Sequence, residues 1–452
     1  SHKDISNYID DKLPKEKVDG WRGVSGRFKH INLHNNFSQI YEIISAVIKK
    51  EPGYWTSFCK KNGEKINDLK SRFIKSDLID AVDADTAVIG CYPLHPISTF
   101  ILPRLSERVA QNERTLFTFL SAEQKFTLSA FLQLAEGDFP LLTPEYLYDY
   151  FEPLLRKEAW TTDIHKQYKL TETVLRRVEP DSLEAKIIKT ISLIYIIEQF
   201  EKLPPIYDVI VDTFRDSVES IEQISRALSS LIEKDCIVYL KRSNNYLKLK
   251  ESSGVDIPSE IQKMVEKSAH NMSVTKILNQ SAFDSFMYPT GYNDEHEITR
   301  YFNFTFISST EFFEVENWNR KLRYDGSDGS VFAIIPQGKS EIDSIRASIA
   351  NGNCNHNRAV FAIPTDYVDI EKMAYEYYAV LQLKALVVND KLLADEYDIY
   401  IEDLEEVIGS FIASYTRPEL SNVEYYYMGE KQAISRKAQI SALLSHICAA
   451  NY

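Results

Sequence analysis

The stretch Tyr92–Leu132, YPLHPISTFILPRLSERVAQNERTLFTFLSAEQKFTLSAFL, sets the terms for the rest of the chain. Ile101, Leu105 and Val109, then Leu116, Phe117 and Leu120, follow helical spacing. The stretch therefore reads as a proline-flanked entry, a helix, a break, and a second helix that opens on Gln111, Asn112, Glu113 and Arg114. Ser121 followed three residues later by Gln124 has the pattern of a capping box, which predicts a helix restarting after Leu120. Three short helices joined this tightly form a small bundle with one polar corner, and Arg114 is expected at that corner.

Around this stretch lies an ordinary globular composition. Of 452 residues, 44% are apolar and 26% charged, enough for a sizeable core and for several domains. No apolar run approaches the roughly 18 residues that suggest a membrane span. SHKDISNYIDD at the start is polar and acidic, unlike a signal peptide. The formal net charge of −14 argues against a surface that binds nucleic acid everywhere, though not against a local basic groove. Cys59, Cys91, Cys236, Cys354 and Cys448 lie far apart, with no C-x-x-C pair, which suits reduced thiols in a cytoplasm. Cys354 and His356, in NGNCNHNR, offer two ligands from one loop, too few for a structural metal.

Downstream, Thr143 and Pro144 open a helix in LTPEYLYDYFEPLL, and residues 142–178 read as helical throughout. Residues 180–250 give three helices, with Leu183, Ile187, Ile191 and Ile194 on the inner face of the first. Two strands follow, turning at Asn244-Asn245. Helix, helix, helix, hairpin is the pattern of a winged helix. Its third helix is expected to point Ile224, Leu228 and Leu231 inward, while Glu219, Glu222, Arg226, Glu233 and Lys234 make no basic face. Only the wing is basic, through Lys241, Arg242, Lys248 and Lys250. That balance favours a module packed on protein over one seated in a DNA groove.

Beyond a linker at SSGVDIPSE, a helix is expected near Ile261–Gln280, then an aromatic arm, FMYPTGYNDEHEITRYF, suited to covering a strand edge. FNFTFIS, VFAII and AVFAI are strands with helices between them, so a mainly parallel α/β sheet is expected over 301–452. A helix over Ile399–Tyr415 opens on Glu402, Asp403, Glu405 and Glu406, VEYYYMGEKQ is strand-like, and a last helix closes the chain. AIIPQGKS, Ala333–Ser340, satisfies a loose phosphate-loop pattern. A phosphate cradle needs a flexible glycine-rich loop of N–H donors at a helix start. Here three residues continue a strand and Pro336 removes a donor, so the string reads as a decoy.

His95-Pro96, the helix after it, and Gln111-x-x-Arg114 resemble the lid of AAA+-type ATPases, in the branch of large bacterial defence ATPases (BREX-like and STAND-like proteins). Trp21, Val24, Gly26, Arg27 and Phe28 are similar to the segment that follows the last core strand of that family's nucleotide fold. The resemblance implies residues 1–60 as the end of an ATPase core, 61–178 as a helical lid, 179–250 as a winged helix, 251–300 as a connecting arm and 301–452 as an α/β domain. It implies Arg27 and Arg114 as cations at the transferring phosphate, Arg22 and Arg114 at the bound nucleotide, and ATP with Mg2+ held by a longer protein whose phosphate-binding core precedes Ser1. This chain alone would bind none. A homo-oligomer and an effector protein are the implied partners, in a cytoplasmic anti-phage system that couples nucleotide state to the effector. The structural alternative is that Arg27 anchors a turn and Arg114 caps or ion-pairs within the bundle. The rival reading of function is a non-enzymatic winged-helix protein that binds DNA through its wing, or a scaffold.

Overall fold

The computed structural model describes residues 37–452 apart from 110–113, 218–219, 241, 269–271, 282–284, 323–325, 353 and 388–389. These residues form two compact units, one within 37–239 and 245–251, the other within 240–244 and 252–452.

The first unit is helical: α1 (Phe37–Val47), α2 (Pro52–Lys61), α3 (Gly63–Lys75), a short π-helical turn at Asp85–Gly90, α4 (Pro96–Val109), α5 (Arg114–Ser121), α6 (Leu128–Leu134), α7 (Pro144–Leu155), α8 (Asp163–Leu175), α9 (Leu183–Ile197), α10 (Tyr207–Phe214) and α11 (Ile221–Glu233). Two helices form its centre. In α4 the buried positions run almost continuously from Pro96 to Val109, and α9 is likewise buried on nearly all sides from Ala185 to Ile197. A helix apolar all round belongs inside a bundle; α9 packs against α4, α7, α8 and α11. The Ser182 hydroxyl caps α9 by accepting from the Ala185 N–H at 3.2 Å.

The expected capping box at Ser121 does not form. The Ser121 hydroxyl donates back to the Phe117 carbonyl at 2.7 Å, inside α5, and the next helix starts only after Thr127. After α11 come β1 (Ile237–Leu240) and β2 (Tyr246–Leu249), paired as a two-stranded sheet. Ile206, between α9 and α10, bridges antiparallel to Tyr246, and the Leu247 N–H donates to the Pro205 carbonyl at 2.7 Å.

The second unit is an α/β sandwich built on α12 (Ile257–Ser268), α13 (Val274–Gln280), β3 (Phe286–Met287), α14 (Thr290–His296), β4 (Phe302–Ser308), α15 (Ser309–Glu314), α16 (Trp318–Lys321), β5 (Gly329–Ile335), α17 (Lys339–Ala350), β6 (Ala359–Pro364), α18 (Glu371–Leu386), α19 (Lys391–Thr416), β7 (Val423–Tyr427), β8 (Glu430–Gln432) and α20 (Lys437–Asn451). The sheet order is β3-β4-β5-β6-β7-β8. β4, β5 and β6 run parallel at the centre, and the outer strands join antiparallel.

Alternation along the strands divides the core in two. Phe304, Phe306, Val331, Ala333, Val360 and Ala362 pack with α12, α13, α18, α19 and α20. Ile307, Phe332, Ile334, Phe361 and Ile363 pack with α15, α16 and α17 on the other face. Burial on both faces explains why these strands read as unbroken apolar runs. Gly329 opens β5 because a Cβ there would stand 2.3 Å from the Arg358 carbonyl and 2.6 Å from the Phe302 ring. Met428 and Gly429, both at positive φ, turn β7 into β8.

The edge beside β4 is closed in an unusual way. β3 pairs with it only at Asn303 and Phe302. Beyond that, the Asn279 side chain accepts from the Phe306 N–H at 2.8 Å and donates to the Phe306 carbonyl at 2.9 Å, as a neighbouring strand would. The aromatic arm thus covers an edge by supplying β3, while the helix expected over 261–280 is two helices, α12 and α13. The acidic residues Glu402–Glu406 lie in the interior of α19, not at its start, so the helix dipole is not their reason.

Candidate functional site

Of the arginines expected to face phosphate, Arg22 and Arg27 lie outside the described residues, as do Gln111 and Lys241, the latter expected on a wing. Arg114 is the first residue of α5. Three other arginines of the first unit hold structure. Arg72 is nearly buried, with its guanidinium 2.8 Å from Asp68, 3.3 Å from Asp212 and 2.6 Å from Asp216. Arg104 donates to the Tyr41 hydroxyl at 3.2 Å and the Phe100 carbonyl at 2.8 Å. Arg108 pairs with Glu198 at 2.6 Å.

His95 stands immediately before α4 and is fully buried. Its backbone N–H donates to the Leu142 carbonyl at 3.0 Å, and its Nδ1 accepts from the Ile97 N–H at 3.2 Å. Burial, and then the nearby Arg72 charge, push the imidazole down to about 3. A neutral ring that accepts a helix-start N–H serves the fold.

The cations expected on a wing are partly committed. Lys250 is buried and 3.0 Å from Asp235. Within the second unit, Arg242 lies 2.8 Å from Glu376 and 3.5 Å from Asp403, and the Ser243 N–H donates to Asp403 at 3.0 Å. Buried acids on α18 and α19 thereby gain a guanidinium partner.

AIIPQGKS does sit between a strand and a helix. β5 ends at Ile335, Gly338 caps α17, and Lys339 is the first helical residue. Lys339 is 3.2 Å from Asp366, which follows the neighbouring parallel strand β6. A lysine at a helix start beside an acid from the next strand is an arrangement that phosphate sites use. The loop between them is nevertheless only Pro336, Gln337 and Gly338. Its Gln337 N–H is already given to the Glu341 carboxylate at 2.7 Å. That donor is thereby committed to a carboxylate of the chain's own. Both Lys339 and Asp366 are largely exposed.

Beside this turn, a cleft of about 780 Å³ opens at the carboxyl ends of β4 and β5. Carboxyl ends of parallel strands are where open α/β sheets hold ligands. Ser308, Thr310, Gln337, Tyr367 and Tyr375 line it together with four acids, Glu311, Glu314, Asp369 and Glu371; no lysine or arginine lines it. Glu311 is already paired with Lys321, and the other three acids make the lining better suited to a cationic group than to a polyphosphate. Burial, then Asp369 and Glu371, raise the Tyr367 phenol, so it stays a neutral donor. Among the described residues no group of three or more acids, histidines or cysteines is arranged to hold a metal ion. Cys354 is buried beneath the sheet, where desolvation pushes its thiol up to about 11. No helix among the described residues is long and apolar enough to cross a membrane.

Compared with protein-family models, with curated proteins and with solved structures, the chain matches none.

Proposed function

We propose that this chain is part of a P-loop ATPase of the AAA+/STAND type, of the kind used in bacterial anti-phage defence, and that it couples nucleotide state to an effector protein. The observation that carries this reading is the order of modules in the first unit. A buried helix entered through His95-Pro96 is followed by a helix that begins at Arg114; three more helices, α6 to α8, separate these from α9, α10, α11 and the hairpin. The isolated antiparallel bridge from Ile206 to Tyr246, beside the two-stranded hairpin, supports reading that last module as a winged helix. In this reading Arg27 and Arg114 face phosphate, Arg22 and Arg114 contact the nucleotide, and ATP and Mg2+ are held by a longer polypeptide working as an oligomer. The closed turn at Gln337 fits a chain whose own α/β unit carries no phosphate cradle.

The winged helix serves protein contact in this proposal. The exposed residues of α11 include Ile221, Glu222, Arg226, Ile232 and Glu233, more apolar and acidic than a DNA-reading helix requires. Arg242 and Lys250 already neutralise carboxylates. Scaffolding is therefore the stronger form of the rival, non-enzymatic reading.

The test is made on the longer polypeptide that the proposal requires. Arg27→Ala and Arg114→Ala should lower ATP turnover strongly while leaving the melting temperature nearly unchanged. An arginine acting in trans changes kcat by about 10³–10⁵ in well-studied cases, and a lid arginine acts on KM as well. Variants that melt earlier yet turn over normally per folded molecule would remove both residues from the phosphate.

A further inference from the structure

In α2, none of the ten residues is buried, although it carries Tyr54, Trp55 and Phe58. A surface helix ordinarily turns such residues to the core, since aromatic side chains are the largest apolar areas a chain has. Here the rings form a cluster at the surface, in which Tyr92 packs tilted against Trp55, Phe58 and Phe139 and the others lie nearly parallel. Trp55 and Phe58 stack at 5.1 Å with their planes 14° apart, Phe58 and Phe139 at 5.7 Å and 18°, and Tyr54 and Phe58 at 6.2 Å and 28°. Tyr54, at the outer end, is 70% exposed.

Cations surround the array. Lys50 lies over the Trp55 ring at 5.1 Å and Lys65 over the Phe139 ring at 5.7 Å. Residues 49–65 hold five lysines against Glu51 and Glu64, a local excess of three positive charges in a chain of net −14. Glu51, itself exposed, caps α2 by accepting from the Gly53 N–H at 3.2 Å, and Asp138 takes Lys61 at 2.9 Å.

We infer that α2 is a stacking platform for single-stranded nucleic acid, with bases continuing the ring array from Tyr54 and phosphates near the lysines. The chemistry selects this ligand. Nearly parallel rings extend most favourably by another flat π face, and a single strand offers such faces where a duplex hides them. The surrounding lysines match a phosphate backbone. The inference is independent of the wing and of the ATPase reading.

The experiment measures fluorescence anisotropy of labelled oligo(dT), oligo(U) and a duplex at two salt concentrations, with phosphatidylserine vesicles as a parallel arm. Expected is binding of one or both single strands ahead of the duplex, falling with salt. Tyr54→Ala should weaken it roughly five- to hundredfold. The exposed position leaves the melting temperature unchanged, and Lys60→Gln with Lys65→Gln should flatten the salt dependence. Preference between dT and U identifies the nucleic acid. Absence of single-strand binding, affinity unchanged in folded Tyr54→Ala, duplex binding ahead of single strands, or capture by vesicles alone would each overturn the inference.

Discussion

His95 shows how much a single buried ring constrains the first unit. It is neutral because it is desolvated and because Arg72 lies close by. An unfolded chain, in contrast, protonates this histidine near 6.5. Between that value and about 3 the unfolded state takes up a proton that the native state declines. The contribution of the buried ring to stability is therefore complete above pH 6.5 and is lost as the pH falls toward 3. The slope reaches about 1.4 kcal/mol per pH unit for one group. His95→Gln removes that titration, so its denaturation midpoint should fall less between pH 7.5 and pH 5 than that of the wild type. Equal falls in both would mean that another group carries the acid sensitivity.

At the scale of elements, α11 offers the cleanest check. Ile224, Leu228 and Leu231 are buried, as the i, i+4, i+7 spacing requires. Leu231→Ala should cost about 2–5 kcal/mol in denaturant titration; a change below roughly 0.5 kcal/mol would mean that the helix lacks the packing described. Strong periodicity of this kind was legible in the sequence, and so were β4, β5 and β6, whose apolar runs record burial on both faces. Polar signals were less informative. Ser121 and Gln124 have the spacing of a cap, but a serine at the end of a helix can equally bond back to the preceding turn, and it does. Glu402–Glu406 suggested a helix start. Instead Asp403 meets Arg242, and Glu405 accepts from the Tyr377 hydroxyl at 3.0 Å. Those partners lie far away in sequence, where no local pattern reaches.

For the molecule as a whole, the sharpest question is whether it turns over ATP unaided. Pro336 and the missing glycines were visible in the sequence. The pairing of Lys339 with Asp366 was not, because it depends on the parallel register of β5 against β6. That juxtaposition makes the string look more like a phosphate site than its residues alone do, while the Glu341 carboxylate bound at Gln337 makes it less able to act as one. Purified protein should release no phosphate from ATP above background, and Lys339→Ala should behave identically. Turnover abolished by that substitution would establish a working phosphate loop. The candidate arginines illustrate the opposite limit. Their meaning rests on what they would face, and neither spacing nor composition specifies that.

The flank of the sheet at Asn279 has a consequence for assembly. Where an added strand would dock, one carboxamide already supplies both a donor and an acceptor to Phe306. The sheet is bounded there by a side chain that makes two hydrogen bonds, on a helix whose Ile277 and Leu278 are buried in the same core. Any extended peptide seeking that border must first displace this group, so recruitment and self-association along it share one gatekeeper, set by the orientation of α13.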